Sequence, residues 1–482
     1  MSRHIAIEDI KDAFIGLETR YPLADGKQQV RRYLDSSATT LMMQPALECA
    51  TAYLQHYANT HTTVHTSAKI TSSVMQWAHD RIVTFLNADP MHYTSILAGS
   101  GTTAATNRIA SGMAALRPDR DVVLVSMMEH HSNDLPHRQH AGHVEHIPLE
   151  MEGTYAGEID LQALAGLLEK YRGRVNYVAV TAVSNVTGII NPIARIAELA
   201  HRYDVYLLVD GAQMVAHMPV YLERDDVDLF VFSGHKIYAP GSPGVLVGKQ
   251  SLLSKLEPHQ LGGGMVSLVT PYGYQLEESL AAREEAGTPN IFGTVILASV
   301  LEALGQVGME TLFQQEQRLV KLAIQELTDC PDLKIYGDTH STRRVGSIAF
   351  NILGMDHGLV AAILNDYYGI AVRNECFCAH PYVKEMLKEE LFSLDIEAAS
   401  DEEELFLVNL KRGMVRASFG LYTTADDITA LGEALRDIVK KRDSYRVGYE
   451  PQQDGSYQHK VFNPSPISLF DLKQMLAKQL ST

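Results

Sequence analysis

Residue types able to do covalent and acid–base chemistry recur in this sequence at the ends of short apolar runs. Leu229-Phe230-Val231-Phe232 is followed at once by Ser233-Gly234-His235-Lys236. A lysine that closes a buried strand is costly unless it is paired or chemically committed. Desolvation lowers its pKa, and the neutral amine can form a Schiff base with a carbonyl. The plainer reading of Lys236 is a side chain that snorkels to the surface beside a glycine turn. Ala98-Gly99-Ser100-Gly101-Thr102-Thr103 precedes a helix expected over residues 104–116. Glycines and hydroxyls ahead of a helix leave backbone N–H groups and the positive end of the dipole facing an anion such as phosphate, although Gly-rich turns are frequent without one. Glu129-His130-His131-Ser132-Asn133 follows another apolar run, and His130 could lie flat on a bound aromatic ring. With 20 histidines in the chain, most serve structure or surface. Val209-Asp210-Gly211-Ala212-Gln213 closes a further run. Asp210 is placed to set a carboxylate against the ring nitrogen of a pyridoxal, holding it protonated as an electron sink, or to cap a helix.

The elements that must position these residues alternate. Residues 121–126, 175–181, 205–209 and 229–232 read as buried strands, and residues 192–203 carry apolar side chains at helical spacing. Alternation of this kind predicts an α/β fold with a mostly parallel sheet covered on both faces. Ligands bind at the carboxyl ends of such strands, where the motifs fall. After about residue 295 a long helical segment over 293–328 leads into mixed short strands and helices. We therefore expect an N-terminal segment (1–30) packing with a small domain, a large domain (31–295), a small C-terminal domain (296–442) and a C-terminal appendage (443–482). In the appendage Gly455-Ser456 reads as a turn, and Ser468 with Asp471 as a helix start. An insert at 391–410, with Asp401-Glu402-Glu403-Glu404 at its centre, reads as a solvated helix face.

Composition narrows the function. The 482 residues are 46% hydrophobic and 21% charged, ordinary for a globular enzyme, and the net charge of −17 would repel nucleic acid and anionic membranes. The first residues lack a signal-peptide core, and no apolar stretch reaches membrane-helix length. Four cysteines in so long a chain make no disulfide framework, which points to a reducing, cytoplasmic setting. No metal-ligand constellation is read.

Further motifs complete the set: Tyr33-Leu34-Asp35-Ser36-Ser37-Ala38-Thr39-Thr40, Ser184-Asn185-Val186-Thr187-Gly188, Glu285-Ala286-Gly287-Thr288-Pro289-Asn290, the stretch Arg373 to Pro381, and Val415-Arg416-Ala417-Ser418-Phe419. Together and in this order they resemble the class V, fold-type I pyridoxal-phosphate enzymes over residues 33–435. Within these, the chain resembles the cysteine desulfurase and selenocysteine lyase branch. The resemblance implies pyridoxal 5'-phosphate as cofactor, bound in a large domain with a seven-stranded-type sheet, beside a smaller α+β domain. It implies that Lys236 forms the Schiff base and moves protons, that His130 stacks on the ring, and that Asp210 binds the pyridinium. Gln213 and Asn185 would contact the phenolic oxygen or nearby atoms, and Thr102, Thr103, Ser233 and His235 would hold the phosphate. Thr288 would reach the phosphate of the neighbouring subunit, which implies a homodimer. Arg416 would clamp a substrate carboxylate, with Arg373, His61 and Asn185 also at the substrate.

The reaction turns on Cys378, in Arg373-Asn374-Glu375-Cys376-Phe377-Cys378-Ala379-His380-Pro381, at the position of the persulfide-forming cysteine of desulfurases. The implied chemistry converts L-cysteine to L-alanine and leaves a persulfide on Cys378, for transfer to a sulfur-acceptor protein; selenocysteine, with a polarisable atom at the same distance from Cα, is an alternative substrate. A thiol of reference pKa about 8.5 is only slightly ionised at neutral pH, so Arg373, His380 or the substrate would have to favour the thiolate. Otherwise Cys378 is a small apolar residue in a turn. Cys376 could resolve a persulfide, bind metal with Cys378, or pack, the last being favoured; Cys49 and Cys330 read as structural. The chain departs from the family where Asn374-Glu375-Cys376-Phe377 replaces a glycine and a histidine, where Thr62-Thr63 follows His61 in place of Arg-Gly, and at the 391–410 insert. Another class V activity (aminotransferase, epimerase or C–S β-lyase) would keep the cofactor residues and make Cys378 dispensable. A non-catalytic sulfur-carrier scaffold would have no reason to retain Lys236, Asp210 and His130 together.

Overall fold

The computed structural model describes residues 8–150, 156–340, 343–388 and 412–481, so the 391–410 insert lies outside the described residues. Its centre is a seven-stranded sheet of β1 (Tyr93–Ala98), β2 (Val122–Ser126), β3 (His143–Ile147), β4 (Val175–Thr181), β5 (Tyr206–Asp210), β6 (Leu229–Ser233) and β7 (Gly244–Lys249), in the order β1-β7-β6-β5-β4-β2-β3. Every residue of β2, β4 and β6 is buried. That follows from their β-branched and aromatic content with a helical layer on each face. β2, β3, β4, β5 and β6 pair in parallel, while β7 is antiparallel to both β6 and β1. The carboxyl ends of β1, β2, β4, β5 and β6 therefore share one edge of the sheet with the amino end of β7.

Helix α1 (Thr66–Phe85) packs beside α3 (Ile291–Val307), whose apolar residues lie almost wholly in the main core. Helix α2 (Gly101–Leu116) begins three residues before the expected start, so Gly101-Thr102-Thr103 forms its first turn. The long helix expected over 293–328 is two, α3 and α4 (Met309–Thr328), bent by 79°. The break is Gly308, whose φ of +93° no ordinary side chain adopts. No single described helix is long and apolar enough to cross a membrane.

A four-stranded antiparallel sheet follows: β8 (Leu333–Ile335), β9 (Ser347–Ile352), β10 (Arg373–Glu375) and β11 (Met414–Ser418), ordered β8-β9-β11-β10. Helices α4 and α5 (Ala425–Lys440) share its core, and α5 starts with a capping box between Thr424 and Asp427. The chain before β1 links the two sheets: Arg32–Tyr33 forms a separate parallel pair with Ile370–Ala371, Asp35 bridges Ser418 of β11, and Thr40 donates to the His235 carbonyl just after β6. At the end of the chain, Gly455 turns a hairpin, and Asp471 rather than Ser468 caps the helix Leu472–Leu480.

Two glycines let α2 approach the sheet edge. A Cβ on Gly101 would lie 2.5 Å from Ser233 Oγ, and one on Gly244 would lie 2.3 Å from the Gly101 carbonyl oxygen. Gly244→Ala is expected to cost about 1–3 kcal/mol, because backbone cannot move aside as a side chain does. Thermal denaturation checks this, and an unchanged midpoint would contradict the packing.

Candidate active site

Lys236 stands in the turn leaving β6, and the N-terminal part of the chain pins that turn. The Thr40 N–H and hydroxyl both donate to the His235 carbonyl (3.0 Å each), while the Tyr238 N–H donates to Thr40 Oγ1 at 2.7 Å. No hydrogen bond or ion pair to the Lys236 amine occurs among the described residues. Burial lowers its pKa below that of an ordinary lysine; nearby Asp210 and Cys378 oppose the shift, and Arg416 adds to it. Asp210, 4% exposed, is pushed the other way by burial, against Lys236 and the Ala212 N–H that donates to it at 2.9 Å. It is not a helix cap: the next helix, Met214–His217, starts after Gln213.

A cavity of about 560 Å³ opens at this sheet edge. Of the expected residues, Thr102, Thr103, His130, Asn185, Ser233, His235, Lys236, Arg373, Cys378 and Arg416 line it together. Gln213 is not on its wall and donates to the Ser37 carbonyl at 2.9 Å. His61 and Thr288 are exposed outside it, linked through Asn59: the Asn59 amide donates to Thr288 Oγ1 (3.3 Å) and its oxygen accepts from the His61 N–H (2.9 Å).

The first turn of α2 faces the cavity without a side-chain cap from Ser100. Its Thr102 N–H and hydroxyl meet Ser233 Oγ at 2.8 and 2.9 Å, which groups two hydroxyls and a helix N-terminus in one place. His130 is held by its own motif: Nδ1 lies 2.8 Å from Ser132 Oγ and accepts the Ser132 N–H at 3.1 Å. Burial, the Lys236 charge, His131 and Arg416 push its pKa down to about 3, so the ring is neutral. Glu129, whose role the sequence reading missed, buttresses this loop. Its carboxyl accepts from the Thr181 N–H (2.7 Å), Asn133 (2.6 Å) and Ser126, and burial raises its pKa to about 8.

Arg373 and Arg416 are directly opposite on β10 and β11. Like charges in that register repel, so the pair marks a place suited to an anion. Arg416, 2% exposed, donates to the Asn185 carbonyl (2.8 Å) and to Asp35 (3.1 Å); its Nε is buried without a partner among the described residues. Asp35 and Arg416 are 381 residues apart, so no spacing in the sequence signals their pairing. Cys378 is exposed rather than packed. It sits in a turn closed by the Ala379 N–H on the Cys376 carbonyl (2.8 Å), with φ of +52° at Phe377 and +55° at Cys378. Glu375 also has positive φ, at +88°. Each such residue costs about 1–2 kcal/mol, strain that persists only where surrounding contacts hold it. The His131 N–H on the Cys378 carbonyl and the Asn185 amide on the Phe377 carbonyl, both 2.8 Å, do so. Cys376 is 6% exposed, with its thiol near the Arg412 carbonyl, and Cys330 is buried. Cys49 is exposed on its helix, contrary to expectation: it falls on the outer face, away from the core.

The fold and this constellation define a pyridoxal-phosphate enzyme of fold type I. The chain belongs to the class-V aminotransferase family, which matches residues 32–431. It is 34% identical to a probable cysteine desulfurase of Halalkalibacterium halodurans over 410 residues, covering 84% of this chain and 92% of that one. It is 35% identical to a cysteine desulfurase of Escherichia coli over 413 residues, 84% of this chain and 93% of the other. The apo structure of a cysteine desulfurase from Thermococcus onnurineus superposes with a TM-score of 0.76 at 28% identity, over 91% of this chain and all of that one.

The folded pKa of His130 lies below its unfolded value of 6.5. The unfolded chain therefore binds the proton first, and this group lowers stability progressively as pH falls from about 6.5 toward 3. Nitrogen NMR of labelled histidine at about pH 5 is expected to show His130 with one unprotonated nitrogen. A doubly protonated ring there would contradict the geometry.

Proposed function

We propose that the chain is a cysteine desulfurase that converts L-cysteine to L-alanine and takes the sulfur as a persulfide on Cys378. The observation that carries this reading is one cavity wall shared by Lys236, the opposed Arg373 and Arg416, and the exposed thiol of Cys378. The residues fit pyridoxal phosphate. Among the described residues Asp210 is a buried carboxylate whose donor is the Ala212 N–H, and the start of α2, which Ser100 does not cap, gathers the Thr102 and Ser233 hydroxyls at the cavity.

In this assignment Thr102, Thr103, Ser233, His235 and the α2 N–H groups hold the phosphate. The His130 ring would pack against the cofactor ring, and Asp210 would balance the charge on its nitrogen. Asn185, on the cavity wall, would lie at the phenolic oxygen or nearby atoms, whereas Gln213 is off the wall with its amide on the Ser37 carbonyl. When bound, the cofactor supplies an electron sink conjugated to the substrate Cα. Arg416 and Arg373 hold the substrate carboxylate, the task their mutual repulsion suits. The Lys236 amine, whose pKa burial lowers, accepts the Cα proton at Nζ and returns a proton to the product. The Cys378 thiolate forms an S–S bond with the substrate sulfur as the Cβ–S bond breaks, so alanine leaves and the second sulfur stays on the enzyme. His61 and Thr288, exposed and away from this cavity, are assigned to the neighbouring site of a homodimer. The persulfide passes to a sulfur-acceptor protein in a reducing compartment, where all four cysteines remain thiols.

Incubation with L-cysteine is expected to yield alanine and a protein persulfide. Both should fall by about 100-fold or more in Cys378→Ala, the scale of losing a catalytic group. Alanine formation indifferent to that substitution would overturn the assignment.

A further inference from the structure

Phe377 lies in the stretch Asn374–Phe377, where the chain departs from the family it resembles, and its ring packs on a buried cation. It is 5% exposed, although the neighbouring Cys378 is exposed. Its ring lies against the Arg416 guanidinium, whose carbon is 4.7 Å from the ring centroid. The contact closes a circuit. Arg416 donates to the Asn185 carbonyl, the Asn185 amide donates to the Phe377 carbonyl (2.8 Å each), and the Phe377 ring returns to Arg416. Phe377 and Cys378 are the two central residues of the turn, both at positive φ, so the backbone alone does not favour this shape.

We propose that Phe377 is a positioning residue: by stacking on Arg416 it registers the Cys378 thiol against the group that binds the substrate carboxylate. The inference deepens the reading of Cys378 as sulfur acceptor and rests on it. A flat guanidinium can offer its edges to a carboxylate and its face to an aromatic ring at once. One side chain thus serves both the substrate and the loop that must reach the substrate's sulfur. Loss of either stacking partner removes one of the contacts that hold the strained turn, leaving it to the His131 and Asn185 hydrogen bonds.

The test is a double-mutant cycle on the holoenzyme, reading the alkylation rate of Cys378 by iodoacetamide with peptide mass spectrometry. Exposed Cys49 is the internal standard. Phe377→Leu keeps apolar bulk without an aromatic face, and Arg416→Lys keeps charge without a plane. Each is expected to raise the Cys378 rate by about fivefold or more, and the double variant by no more than either single one. Phe377→Tyr, which keeps the face, is expected to restore the wild-type rate. Additive effects, a Phe377→Tyr rate matching Phe377→Leu, or an unchanged rate in either single variant would overturn the proposal. If Phe377→Leu fails to fold, Arg416→Lys with Phe377 intact still decides, since an unchanged rate there contradicts the coupling. Alkylation needs no turnover. A protein that makes no alanine would remove the desulfurase reading while this cycle still reported on the stacking.

Discussion

A half-buried lysine lining the cavity and a buried carboxylate, with few other partners among the described residues, set the conditions for everything around it. Lys236 and Asp210 each suffer a desolvation penalty that favours the neutral form, and each partly relieves the other. Neither is satisfied in the usual way, by a bidentate pair or a dense hydrogen-bond shell. Such a pair is a poor device for stability and a good one for chemistry. It leaves an amine able to react with a carbonyl and a carboxylate able to answer a new positive charge. Arg416 adds a third charge, buried and shared between Asp35 and the face of Phe377.

Holding such groups in place falls to the scaffold. The strand order brings five carboxyl ends to one edge, and each delivers part of the site within four residues of leaving the sheet. Thr40 fixes the lysine turn, Glu129 fixes the histidine loop, and Gly101 and Gly244 let the first turn of α2 press against Ser233. The second sheet supplies the arginines and, through the loop after β10, the thiol. A reaction joining a carbon acid to a sulfur acceptor thus draws on both sheets, stitched together by the chain around Asp35 and Ser37.

The parallel strands were legible because strands buried on both faces leave continuous apolar runs, as in Val175–Thr181. Edge strand β3, His-Val-Glu-His-Ile, has only its last residue buried and leaves no such run. The break at Gly308 was hidden because helical apolar spacing continues across it and only the backbone angle reveals it. Lys236, Asp210 and His130 were visible as residue types at strand ends. Their relation to Asp35, Glu129 and Phe377 was not, because pairs such as Asp35 with Arg416 are made by folding and have no spacing to read. His61 and Thr288 were named from resemblance alone, and one chain does not bring them to its own cavity.

The central claim is that Lys236 is the amine the fold has prepared for the cofactor. Borohydride reduction of the purified holoenzyme, followed by proteolysis and peptide mapping, tests it most directly. The account expects the pyridoxyl group on the peptide containing Lys236 and on no other lysine. A stable adduct elsewhere, or none after reduction of a protein that carries the cofactor, would contradict it.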